Sequence, residues 1–488
     1  MKKLIICSVL AVLLVSSCEK AIDVSPTSVI TSSSFWKTPD DAKGAVIGLH
    51  DRLRSTAFEE LFILGEARSE VIGRSTQGSQ GIDRYYNQTL NSTTLQPPNW
   101  INFYSTINQA NLIIKYVPTI TFASEAEKNR ILAQAYTMRA FVYYNLVRAW
   151  GGVPIRTEPT ESYDAESIQL SRSSVEDVFT LIKSDLDEAI KLYPDNNIPI
   201  GRAFWSKSAA NTLKGDVYLW TGKRLNGGQS DFTTSLSALN DARTADVSLL
   251  SDYNAIFDYD NKGNKEILFA IRFDVIETDH NYYKYMYIND GGLAVTPETR
   301  AFIGTVGSGN NGNAIMEVTP EVRSQFSVDD QRRLGTFFEV YNTTGTYLSS
   351  ITTKGRGVVD NGTRHFKSDI IIYRFADLLL LIAEAKNALG QNPEAEINMV
   401  RQRAYGAKFS NYAFVSNSQQ VNDDIILKER LLELATEGKR WWDLLRFDKA
   451  FELVPALQGR SSERHLLLFP IGNNIRSLEP FVDENPGW

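Results

Sequence analysis

Two stretches of this chain are built on one plan, and that plan limits what the rest can fold into. AANTLKGDVYLWTGK (209–223) and LLLLIAEAKNALGQ (378–391) each place an acidic residue six positions before a glycine, Asp216 before Gly222 and Glu384 before Gly390. A second run with helical spacing follows each, SLSALNDARTA in one case and PEAEINMVRQRA in the other. A helix, a glycine-ended turn and an antiparallel second helix cannot bury an apolar face alone, so such units must stack on neighbours. Ala209, Ala210, Ala383 and Ala385 add little bulk where paired helices would approach.

The unit is of the tetratricopeptide type, and the expected fold class is mainly α. Other segments agree. Thr38-Pro39-Asp40-Asp41 reads as a helix start, with Thr38 as N-cap and Pro39 in the first helical position. Asn99 to Val117 and Ser124 to Trp150 are long periodic runs; Ser124 caps the second, Glu127 completes a capping box and Gly151 ends it. Between about 226 and 368 the chain turns to Gly, Asn, Thr and Tyr, with short apolar runs such as EILFAIRF that read as strands. The expected architecture is one domain over 35–488. Tetratricopeptide-like helical repeats form a scaffold over about 35–225 and 369–488, and a loop-rich, partly β insertion carries the ligand site.

The N-terminus carries a different signal. Lys2 and Lys3 precede an apolar run from Leu4 to Val15, too short for the about 20 residues a spanning helix needs. A secretory signal is the better reading. Val15-Ser16-Ser17-Cys18 resembles a bacterial lipoprotein signal: residues 1–17 are removed, Cys18 is lipidated, and 18–34 form a polar spacer. The alternative is an ordinary signal peptide with an incidental cysteine. Acyl chains anchor durably because each buried CH₂ contributes about 0.8 kcal/mol. The most apolar later stretch, IIIYRFADLLLLIAEAK, contains Arg374, Asp377 and Glu384, so membrane contact is expected through the lipid only.

Several functions are excluded or weakened. The net charge of −7 gives no pull toward nucleic acid. No cysteine follows Cys18, which rules out thiolate metal sites and cysteine nucleophiles in the body of the chain. The four histidines form no metal-binding spacing, and no cofactor or metal is expected. Gly307 to Gly312 matches GxGxxG without the strand and helix that a dinucleotide site needs, so it reads as a loop. Asp258 and Asp260 open a stretch that starts like a calcium loop. Lys262 stands at a ligand position and Phe269 at the twelfth, leaving a weak calcium candidate against a solvated turn. In KERLLELATEGKRWWDLLRF, Glu429, Glu433 and Glu437 alternate with Arg430, Lys439, Arg440 and Arg446, the spacing of ion pairs along a helix face. Carboxylates are too numerous for a count to exclude a glycosidase pair, but no catalytic residue stands out.

Ordered motifs then carry a resemblance across nearly the whole chain. They are Ser34-Phe35-Trp36, MRAFVYYNLVRAWGGVPI (Met138 to Ile155), VYLWTGK, YRFADLLLLIAEA, INMVRQRA, ILKERLLELATEGKRWWDLLRF, and a tail LLLFPIGNNIRSLEP ending in Asn485-Pro486-Gly487-Trp488. With the lipoprotein signal, these resemble the SusD/RagB-like outer-membrane lipoproteins of Bacteroidetes. The resemblance implies a non-enzymatic glycan-binding protein, lipid-anchored and exposed on the cell outer membrane. Such a protein captures oligosaccharide or polysaccharide and delivers it to a SusC-like TonB-dependent transporter barrel. A surface glycoside hydrolase and a helical-repeat protein-binding adaptor are the alternatives.

The quoted motifs read as scaffold, so ligand residues must come from elsewhere. Sugars offer apolar C–H faces and a rim of hydroxyls, which call for aromatic platforms beside hydrogen-bonding side chains. RSTQGSQGIDRYYNQTLN offers Arg74, Gln77, Asp83, Arg84, Tyr85, Tyr86 and Asn87. ETDHNYYKYMYINDGG offers His280, Asn281, Tyr282, Tyr283, Tyr285, Tyr287 and Asp290. Read as a strand, YYKYMY puts Tyr283, Tyr285 and Tyr287 on one face and Tyr282 on the other.

Overall fold

The computed structural model describes residues 35–75, 78, 81–93, 99–162, 168–274, 280–307 and 309–488. The signal segment, Cys18, the spacer and Gln77 lie outside the described residues.

Helix α1 (Pro39–Ala57) starts as its sequence dictates. Thr38 accepts the Asp41 amide at 3.3 Å, and the Asp41 carboxylate accepts the Thr38 amide at 2.7 Å. That reciprocal pair satisfies two of the donors a helix start leaves open. Next come α2 (Ile101–Tyr116) and α3 (Glu125–Trp150). Ser124 caps α3, but the Glu127 carboxylate pairs with Lys43 on α1 at 2.7 Å instead of folding back, so the expected capping box is half formed. A tertiary cation outcompetes the local amide. Gly151 ends α3 with φ of 75°, a conformation only glycine adopts readily.

The scaffold continues with α4 (Val175–Leu192), α5 (Lys207–Arg224), α6 (Gly228–Arg243), α7 (Phe375–Ala388), α8 (Glu394–Tyr405), α9 (Gln419–Leu434) and α10 (Arg440–Arg446). The long helices pack in chain order from α2 to α7, and α7 meets both α8 and α9. The two repeats visible in the sequence are the pairs α5–α6 and α7–α8, joined across α6 and α7. The helical scaffold therefore runs past residue 225 to Arg243. Gly390 ends its unit at φ of 71°, whereas Gly222 lies inside α5. A Cβ on Gly222 would sit 2.4 Å from the Phe232 ring, so its role is close helix approach rather than termination. No described helix is long and apolar enough to cross a membrane.

Among the described residues the strands are short and form four antiparallel pairs. Numbered in chain order, these are β1 (Ile72–Arg74) with β3 (Met316–Val318), β2 (Ile267–Ile271) with β8 (Ile370–Arg374), β4 (Phe337–Tyr341) with β5 (Tyr347–Thr352), and β6 (Val358–Asp360) with β7 (Thr363–His365). EILFAIRF is thus a strand, buried along its length, and β8 runs straight into α7. YYKYMY is not a strand. Tyr282–Met286 forms a 3₁₀ turn, capped by Asn281, whose side chain accepts the Tyr283 amide at 3.2 Å. A local side-chain bond offers the backbone an alternative to a ladder, and here it wins.

The expected ion pairs along KERLLELATEGKRWWDLLRF take other partners. Glu429 binds Arg332 at 2.7 Å, Glu433 binds Arg374 at 2.5 Å and also Arg403, and Glu437 binds Arg374 at 2.8 Å and Lys354 at 2.6 Å. All three carboxylates are buried. Burial opposes the Glu433 charge, but Arg403, Arg374 and Arg332 outweigh it and hold the carboxyl far below its usual range. These charges tie Arg332 and Lys354 of the insertion, and Arg374 and Arg403 of the scaffold, to α9 and the turn after it instead of decorating one helix face.

Candidate functional site

After α1 the chain passes Phe58 and Glu59 into a short helix, Glu60–Phe62, and a π-helical turn, Ile63–Ala67. The turn is pinned by Glu66, whose buried carboxylate accepts the amides of Thr436 at 2.8 Å, Lys439 at 2.9 Å and Arg440 at 3.1 Å. It leads into β1, where Ile72 lies opposite Val318 and Arg74 opposite Met316. Just before β3, the Ile315 amide donates to the Tyr285 carbonyl at 3.0 Å and the Asn313 amide to the Lys284 carbonyl at 2.8 Å. Residues 313–318 therefore stitch the two candidate segments together, although they are far apart in sequence.

Beside this seam lies a cavity of about 810 Å³ lined by Arg74, Tyr86 and Asn87, with Thr319, Gln325 and Lys428 across from them. Arg74 and Asn87 are exposed; Asp83 and Tyr86 are half-buried. Burial pushes the Tyr86 hydroxyl up to about 12, with the Asp83 charge adding to it, and the hydroxyl has no partner among the described residues. Glu70 holds Arg440 through one oxygen, at 2.6 and 2.8 Å, while its other oxygen is buried without a partner among the described residues. Buried polar atoms are seldom left unpaired, so each marks a place for a ligand or water.

A cluster of aromatic rings, none of them lining that cavity, gathers where the second candidate segment meets Phe58. Phe58 meets His280 edge-on at 4.8 Å, and His280 meets Tyr285 at 6.0 Å. His280 and Tyr285 are half-buried. Burial, then the Glu59 carboxylate, raises the Tyr285 hydroxyl, and burial raises Glu59 itself. Burial likewise pushes Glu60 up to about 7, where it accepts from Asn102 Nδ2 at 3.2 Å. The surface thus combines flat apolar rings with donors and acceptors of both kinds.

Four of the candidate tyrosines belong to the core instead. Tyr85 is 5% exposed and faces Phe469. Tyr282 stacks on Phe62 at 4.2 Å and donates to the Thr436 carbonyl at 3.2 Å. Tyr283 lies so close to Gly355 that a Cβ there would be 1.9 Å from its ring. Tyr287 is fully buried, against Phe366 at 5.3 Å. Tyr282, Tyr283 and Tyr287 are buried and Tyr285 is half-buried, a division that strand alternation would not give. Asn281 and Asp290 are buried too; Asp290 binds Arg300 and the Asn310 amide. Phe58, Glu59 and Glu70 are site residues that the composition of the two segments did not reveal. Their signal was faint, an aromatic and an acid directly after an amphipathic helix and a second acid just before β1.

The other sequence motifs resolve into packing. Asp258 accepts the Asp260 amide at 3.1 Å and caps the short turn Tyr259–Asn261. Among the described residues no three His, Cys, Asp or Glu side chains gather as a metal site. In the GxGxxG loop a Cβ on Gly312 would sit 2.1 Å from the Tyr287 carbonyl, so glycine serves close backbone approach there. The crevice among Arg148, Asp216, Tyr373 and Trp442 encloses about 40 Å³, room for water and nothing larger.

A model described as the SusD family matches residues 333–488, and one described as "Starch-binding associating with outer membrane" matches residues 57–219. NanU of B. fragilis superposes with a TM-score of 0.82 at 33% identity, over 95% of this chain and 100% of its own. The chain belongs to the SusD/RagB family. Another SusD superfamily structure, from Bacteroides vulgatus, gives a TM-score of 0.83 at 32% identity over 93% of this chain and all of its own. A SusD-like protein of Formosa agariphila is 29% identical over 96% of this chain and 95% of its own. His280 and Tyr285 fall between the two ranges that the SusD/RagB models match. No family motif therefore assigns them a role.

Proposed function

We propose that this chain is a cell-surface glycan-binding lipoprotein that captures oligosaccharide and passes it to a TonB-dependent transporter of the SusC type. The observation that carries this reading is the convergence of Arg74–Asn87 with His280–Tyr285 through residues 313–318. That convergence sets Tyr86 and the unpaired oxygen of Glu70 along a cavity large enough for a small ligand, with Tyr285 joined to the same seam through Ile315. Membership in the SusD/RagB family and the starch-binding description of the matched model support the ligand class. In this reading residues 1–17 are removed, Cys18 carries the lipid, and 35–488 act as one binding domain at the outer face of the outer membrane.

The site binds without cleaving. Glu60 and Glu70 are held by Asn102 and Arg440 and serve as hydrogen-bond acceptors. Host mucin-type sugars, fructans and plant polysaccharides all fit a surface of this chemistry. A glycan array followed by calorimetry on the mature chain tests the reading. Saturable binding with no new reducing ends is expected. Sustained release of reducing sugar, abolished by a single carboxylate substitution, would establish a hydrolase in its place. Co-purification of a transporter barrel with no glycan binding would establish a protein adaptor.

A further inference from the structure

The turn that begins at Asp258 forms one wall of a second cavity, of about 580 Å³. That volume lies within the range of small-ligand sites, about 300–1,000 Å³. No residue lining it also lines the cavity at Arg74 and Tyr86. Three half-buried aromatic side chains face it, Phe257, Tyr259 and Phe302. Phe302 stacks on Phe338 at 3.9 Å with the rings 2° from parallel, which fixes its orientation. Arg356 lies 4.5 Å over the Phe302 ring and donates to the Phe302 carbonyl at 2.6 Å.

The polar groups of this cavity are incompletely used. Among the described residues, Arg356 pairs with no carboxylate and its Nε–H is buried without an acceptor. The Thr353 hydroxyl is also buried without a partner among them. Across the cavity Asp258 is exposed, one of its oxygens on the Asp260 amide. The lining carries charges of both signs, Arg356 and Arg364 with Asp252 and Asp258, and a purely apolar ligand would leave Arg356 and Thr353 unmet. A molecule with an apolar face and a rim of hydroxyls, each both donor and acceptor, satisfies all of them.

We infer that this cavity is a second saccharide site, in which a sugar ring lies against Tyr259 while its hydroxyls meet Arg356, Thr353 and Asp258. The inference rests on the glycan-binding reading for its ligand class. Two sites on one molecule would hold a polysaccharide by effective concentration, beyond the affinity of either alone.

The test uses the mature chain without its lipid (Cys18→Ser) and a fixed mixture of maltose, cellobiose, xylobiose, mannobiose, lactose and sucrose, read by saturation-transfer NMR. Tyr86→Ala with Tyr285→Ala disables the first site. Tyr259→Ala and, separately, Leu334→Glu obstruct or strip the second; Leu334 lines it and is 53% exposed, so the fold tolerates a charge there. Transfer is expected to persist in the first-site variant and to vanish when either second-site substitution is added, with melting temperatures unchanged. If the wild type binds and the first-site variant is silent, the second site is rejected and the first stands. Transfer that survives both second-site substitutions rejects it equally. A silent wild type overturns both readings.

Discussion

Asp216 and Glu384, the acidic residues at the same place in the two helical repeats, are held by one guanidinium. Arg446 reaches Asp216 at 3.2 Å and Glu384 at 2.8 Å, and all three side chains are buried or nearly so. The repeated acid is therefore a clamp that ties α5 and α7 to α10. Removing one member of a buried charge cluster strands the others, at a cost of about 3–5 kcal/mol. Arg446→Met is expected to lower stability by that amount in urea denaturation. Lys43→Met, which breaks a pair exposed on both sides, should change it by under about 1 kcal/mol. Equal effects from the two substitutions would contradict the clamp.

Two glycines should respond to alanine in opposite directions. A Cβ on Gly65 would lie 1.9 Å from the Gly438 carbonyl oxygen, and that backbone contact cannot be relieved by a rotamer change. Gly65→Ala is expected to destabilise by about 1–3 kcal/mol, as overpacking does. Gly44 is exposed within α1 and has nothing within 4 Å of its Cβ position. Gly44→Ala should stabilise by about 0.5–1 kcal/mol through helix propensity. Thermal melts of the two variants decide the matter.

The tyrosines should divide by burial. Loss of one aromatic contact with a sugar is expected to cost about 0.5–1.5 kcal/mol, by analogy with aromatic pairs, or about 2- to 13-fold in Kd. Tyr86→Ala and Tyr285→Ala should each show that loss in calorimetry with normal melting temperatures. Binding in the micromolar to millimolar range is expected for such a site. Tyr282→Ala should instead lower stability by about 3–5 kcal/mol, as large-to-small changes in a core do. A Tyr282→Ala protein that melts normally would place that ring outside the core.

Stability should peak on the acid side of neutrality. Burial opposes ionisation of Asp377 and Glu384, but Lys439 with Arg430, and Arg446 with Lys223, outweigh it and bring both carboxyls to about 2. Their stabilisation is complete above the ordinary carboxylate range and is lost as pH falls through it toward 2. Glu60 and Glu66 run the other way. Burial pushes each up to about 7, so folding is increasingly opposed as pH rises from the ordinary range to 7. Each pKa unit is worth about 1.4 kcal/mol. Urea midpoints at about pH 3, 5 and 8 should therefore be highest at 5, and a midpoint that rises steadily to pH 8 would contradict the assignment.

Local order was legible wherever the decisive partner lay within a few residues. The Thr38–Asp41 cap, the start of α3 at Ser124, its end at Gly151 and the strand within EILFAIRF follow from side chains and periodicity that the sequence displays. The repeat pairs α5–α6 and α7–α8 were legible for the same reason, because each unit is contiguous. The partners of Glu433 were not. Its neighbours at helical spacing looked sufficient, yet Arg374 and Arg403 bind it from other elements.

The site divides along the same line. Composition marked Arg74, Tyr86, Asn87, His280 and Tyr285 as the right chemistry for a sugar, and the structure places these residues at or beside one seam. It could not separate Tyr285 from Tyr282, Tyr283 and Tyr287, because an Asn281 cap turned an apparent strand into a 3₁₀ turn. By itself the sequence determined which residue types were available and which short elements they form, since propensity and capping act over a few bonds. Only the tertiary structure decided which rings face solvent and which segments meet, because burial and ion pairing are settled by whichever element packs alongside.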